Sequence, residues 1–72
     1  MSMPLSMVKE GGINTICKVG GKEETRKFLE NLGFVSGGEV TVVSQIDGNI
    51  IVNVKGSRVA IGRDMANKVM VM

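Results

Sequence analysis

The sequence predicts a mainly β domain: a small, partly open barrel of about five short strands, with one α-helix after the first strand and a short helical turn before the last. Three observations point to it. The chain has 72 residues and a single Cys, so one small core must hold the fold without an internal disulfide. Only one segment, residues 22–32, carries an apolar stripe at helical spacing. The second half alternates apolar and polar residues between the turn signals Asp47-Gly48-Asn49 and Gly56-Ser57, as a meander does. Five strands are too few for a sandwich and lack the spacing of βαβ units. Rolling them into a barrel disposes of exposed edges.

Residues 1–12 read as a lead-in arm. Pro4 disfavours helix just before it, Gly11-Gly12 punctuates the end, and Leu5 and Val8 offer an apolar edge to drape over the body. Residues 13–19 form the first predicted strand. Its aliphatics, Ile13, Ile16 and Val19, recur every three residues, which is not strand period. The segment is nevertheless too short for a helix, is flanked by glycines and contains β-branched Thr15. That spacing predicts a bulge or twist that changes which face is buried.

In the helix, Glu23 and Glu24 meet the positive end of the macrodipole. Thr25, Phe28, Leu29 and Leu32 make the core-facing stripe, with Arg26, Lys27 and Glu30 on the other side. Gly33 ends the helix in a left-handed conformation, and Phe34 packs back on Leu29. A turn at 35–38 leads into a strand at 40–46, where Val40 and Val42 share a face. Strand 50–55 alternates Ile50, Val52 and Val54; strand 58–62 turns Val59 and Ile61 inward. One helical turn at 63–67 precedes a last strand, 68–72, with Val69 and Val71 in phase. The predicted core sets Phe28, Leu29 and Leu32 against Val40, Val42, Val52, Val54, Val59 and Ile61.

Composition excludes several functions. With no His and one Cys, His-based zinc sites, paired-Cys ribbons and imidazole-dependent triads are out, and no cofactor or catalytic residue is implied. The net charge of +2 is too weak to argue nucleic acid, and Phe28 and Phe34, the only aromatics, make a poor stacking platform. No apolar run approaches the roughly 20 residues of a membrane span. The start, Met1-Ser2-Met3-Pro4, has no signal-peptide pattern, and a free thiol fits the cytoplasm. Gly20-Gly21-Lys22 is not a phosphate loop: position 16 is Ile and Glu23 follows the Lys.

The stretch Phe28-Leu29-Glu30-Asn31-Leu32-Gly33-Phe34-Val35-Ser36-Gly37-Gly38-Glu39-Val40-Thr41-Val42-Val43 resembles the signature of the FeoA family: a helix end, Leu-Gly-apolar, Pro-Gly, then a Val-x-Val strand. Val52-Asn53-Val54-Lys55-Gly56-Ser57-Arg58-Val59-Ala60-Ile61-Gly62 is similar to the family's apolar hairpin, and the resemblance continues to Val71. Ser36 stands where the family usually has Pro, which would only preset the turn. The resemblance implies an SH3-like barrel over residues 13–72 and a role in bacterial ferrous iron uptake. It also implies one partner, the FeoB membrane transporter, whose GTPase domain would own any GTP chemistry. The alternative it carries is a metal-responsive or nucleic-acid-binding barrel akin to the C-terminal domain of iron-dependent repressors. A weak homo-oligomer stays open.

The candidate partner-binding residues are Val35, Ser36 and Gly37 of the turn, with the basic Arg58 and Arg63. Gly33, Phe34, Gly37, Phe28, Leu29 and Leu32 are read as structural. The Asp47-Gly48-Asn49 hairpin and the Gly20-Gly21 loop are further borders of a groove. Cys17 reads as an ordinary residue beside the core, because a metal site needs several converging ligands. The six methionines fill gaps or form one soft apolar patch if the two chain ends meet.

Overall fold

In the computed structural model, which describes residues 2–72, six antiparallel strands form one sheet in the order β1-β6-β2-β3-β4-β5. The strands are β1 (Met3–Pro4), β2 (Ile13–Val19), β3 (Glu39–Ile46), β4 (Asn49–Val54), β5 (Ser57–Gly62) and β6 (Val69–Val71). Helix α1 (Glu23–Leu32) follows β2, and the one-turn helix α2 (Arg63–Ala66) joins β5 to β6. Ile16, Val40, Val42, Ile50, Val52, Val54, Ile61, Val69 and Val71, drawn from five strands, are buried in one cluster. A sheet whose inner face serves a single core in this way is rolled around it, and the fold is SH3-like. Met1, counted above in the lead-in and among the methionines, lies outside the described residues.

The lead-in is woven into the barrel. Met3 and Pro4 pair with Val71 and Met70, a sixth strand that the alternation pattern did not announce. A 3-10 turn at Leu5–Met7 then buries Leu5 fully, and Val8 is buried too. Two residues are too short a strand to leave a period, and this pairing exists only because the far end of the chain comes alongside.

The three-residue spacing in β2 has the expected cause. The register against β6 shifts between Ile16 and Lys18, so Cys17 is a bulged extra residue. The bulge lets Ile16 and Val19 both face inward, opposite Val71 and Val69 respectively, while Ile13, before it, faces out. A second shift in β3, between Val42 and Ser44, ends its clean alternation. The β3–β4 hairpin turns through Asp47 (φ 47°) and Gly48 (φ 81°), and the β4–β5 hairpin through Lys55 (φ 49°) and Gly56 (φ 74°). Both are two-residue turns of the I′ kind that match strand twist. The second lies one residue earlier than Gly56-Ser57.

Helix α1 spans one end of the barrel. Near its start, the Gly20 amide donates to the Lys68 carbonyl at 2.7 Å; at its other end Gly33 lies against Val54 and Lys55. Only Leu29 of the helix is fully buried. Leu32 and Thr25 are half-buried, and Phe28 is 50% exposed, which corrects its place in the predicted core. Residues advance about 100° each around a helix. With Leu29 pointing inward, Thr25 and Leu32 lie roughly 40–60° to one side and Phe28 about 100° away.

Candidate functional site

The turn at 35–38 is fastened to the β2 bulge. The Gly37 amide donates to the Ile16 carbonyl at 2.7 Å, the Ile16 amide to the Gly38 carbonyl at 2.8 Å, and the Ser36 hydroxyl to the Cys17 carbonyl at 3.0 Å. The Gly38 amide closes the turn on the Val35 carbonyl at 3.0 Å, with Gly37 at φ 88°. This is the type II position where Gly belongs, and it places Ser36 where Pro would stand. The Ser36 side-chain bond ties the turn down by another route. Val35 is half-buried, whereas Ser36 and Gly37 are exposed.

Arg58 lies near the start of β5, and Arg63 is the first residue past its end. Arg58 Nε donates to Asn53 Oδ1 at 3.3 Å on the outer face. Arg63 begins α2, where its amide donates to the Gly48 carbonyl at 2.9 Å and its guanidinium to Gln45 Oε1 at 3.3 Å. In the sheet order β3 and β4 stand between β2, to which the turn is fastened, and β5. The structure therefore joins Arg63 to the Asp47-Gly48 hairpin and the turn to Cys17. The Gly20-Gly21 loop is tied to Lys68.

The sheet also builds a surface the sequence did not single out. Cross-strand pairing aligns Ile13 with Thr41, Thr41 with Asn53, and Asn53 with Arg58, a single outward row across four strands. Ile13, Glu39, Thr41, Asn53, Lys55 and Gly56 line a shallow depression of about 340 Å³ there. Ile13 is 69% exposed at its rim. The signal available was the outward half of each alternation; the register that assembles it is a tertiary property.

Cys17 is half-buried beside no carboxylate cluster, and among the described residues no three Cys, Asp or Glu side chains gather around a point. No helix is long and apolar enough to cross a membrane.

The sequence model of the FeoA domain matches residues 3–72, the whole barrel including β1. The chain belongs to the FeoA family. It is 34% identical over 68 residues to a putative Fe(2+) transport protein A of Methanocaldococcus jannaschii, covering 94% of this chain and 83% of that one. The crystal structure of an iron uptake regulatory protein (FeoA) superposes with a TM-score of 0.91 at 33% identity, covering 100% of this chain and 96% of that one. A manganese-dependent transcriptional repressor shares the fold alone: TM-score 0.89, 16% identity, 99% of this chain but 41% of that one. Membership of the FeoA family implies an accessory role in ferrous iron transport.

Proposed function

We propose that this FeoA-family protein is a non-enzymatic, cytoplasmic accessory of ferrous iron uptake that regulates a FeoB-type transporter by direct protein–protein contact. The observation that carries this reading is the FeoA match over residues 3–72, which takes in the entire barrel. Arg58 and Arg63 are the contact residues of this reading, with Val35, Ser36 and Gly37 as a second face. The interaction is micromolar or weaker, because a domain this small, without Trp or Tyr, offers a modest patch.

The test is a titration of the labelled protein with the cytosolic part of the FeoB transporter from the same organism, followed by amide chemical shifts. Saturable shifts are expected. A wild-type protein that shows none at millimolar partner removes direct docking to that part. A folded Arg58→Glu/Arg63→Glu double variant that binds like wild type removes the basic residues from the contact.

A further inference from the structure

The two margins of the sheet differ. One is β1, two residues long, whose Pro4 has no amide hydrogen to offer. The other is β5, six residues paired with β4 in unbroken register from Val54–Ser57 to Asn49–Gly62. It contains no Pro, no bulge and no acidic residue.

The register decides which backbone groups are free. In a two-residue hairpin the closing pair, here Val54 and Ser57, is hydrogen-bonded, and bonded pairs alternate from there. Val59 and Ile61 therefore spend their amides and carbonyls on β4. Those of Arg58 and Ala60 point away from the sheet, both residues are exposed, and no backbone hydrogen bond to a turn, loop or cap uses them among the described residues. Four backbone groups stand in a row, matching two residues of an incoming strand.

We infer that the β5 edge, through the backbone of Arg58 and Ala60, takes up an extended acidic segment of the transporter's cytosolic part as an added antiparallel strand. The inference rests on the FeoB reading above and gives it a mode of contact. Charge selects the occupant. Arg58 lies on the outer face of the edge, steadied by Asn53, and Arg63 stands at the end of the same strand. A second copy of the chain fits badly. Antiparallel pairing of two β5 strands puts both Arg58 side chains on one face, opposite one another, diagonal across Ala60, or beside the other copy's Arg63. A segment with Asp or Glu opposite Arg58 instead forms a cross-strand ion pair. Main-chain bonds supply the affinity and the acidic position the specificity, as in other strand additions.

The experiment follows hydrogen exchange of the Arg58 and Ala60 amides in the full chain, alone and with the cytosolic part of FeoB, by NMR. Expected is protection of these two amides on binding, new cross-strand contacts from β5, and several-fold weaker binding of Arg58→Glu that fades at high salt. Ala60→Pro, at a position whose amide donates to nothing in the sheet, is expected to fold and to bind at least tenfold more weakly. Binding with both amides exchanging as in the free protein overturns the edge while leaving the FeoB contact standing. Absence of any complex overturns both. Protection that appears without partner and rises with protein concentration assigns the edge to self-association instead.

Discussion

The Phe34 amide donates to the Leu29 carbonyl at 3.0 Å, and both side chains are fully buried in the same cluster. With the Gly33 amide on the Glu30 carbonyl at 2.9 Å, this is a complete Schellman cap. One local motif thus ends the helix, seats its single buried residue, and starts the chain toward the turn on β2.

Gly33 sits at φ 113°, and a Cβ there would meet Lys55 Cβ at 3.3 Å. Gly37 has a similar φ of 88° but open space around it. Gly37→Ala is expected to cost about 1 kcal/mol from backbone strain, and Gly33→Ala clearly more because Lys55 must also give way. Urea unfolding of the two variants measures the difference; equal losses would mean the Lys55 contact relaxes freely.

Leu29→Ala is expected to cost about 2–5 kcal/mol, enough to leave so small a domain largely unfolded. Phe28→Ala, one residue earlier on the exposed side, is expected to cost less than about 1 kcal/mol. Thermal melts by circular dichroism distinguish these, and a large loss at Phe28 would contradict its exposure.

The α1 N-cap, Lys22, is extended (φ −69°, ψ 159°) and makes no side-chain cap bond. Its backbone already suits a capping residue, so Lys22→Ser is expected to add about 1 kcal/mol. For a domain of this size that is a rise of roughly 4–8 °C in Tm. No rise would mean that the amides of the first turn are already well served by solvent.

Buried Ser6 donates its hydroxyl to the Asn67 side chain, tying the lead-in to the residue after α2. Asn67→Ala is expected to cost about 1–3 kcal/mol by stranding that hydroxyl. Adding Ser6→Ala should recover part of the loss, since both partners are then apolar. A double variant no better than Asn67→Ala would deny the coupling.

Local chemistry made much of this protein legible. The helix and its Gly33-Phe34 cap, the Asp47-Gly48 hairpin, the inward Val and Ile of β4 and β6 and the bulge in β2 all follow from interactions within a few residues. They leave a periodic or turn signature for that reason. The Phe28 to Val43 stretch carried the family resemblance on the same local features. Other properties depend on which distant segments meet. Residues 3–8 became barrel because β6 ran beside them, and Leu5 was buried by what closed over it. Phe28 stayed outside because the helix docks with Leu29 inward, an orientation its period alone leaves open. The turn at 35–38 was set apart from Arg58 by the strand order, and Ile13, Thr41, Asn53 and Arg58 were aligned into one row by a register set over the whole sheet. Short-range periodicity and turn chemistry set both helices, five of the six strands and the family; which surface residues are neighbours was left to the fold, because strand pairing joins positions whose spacing along the chain carries no trace of it.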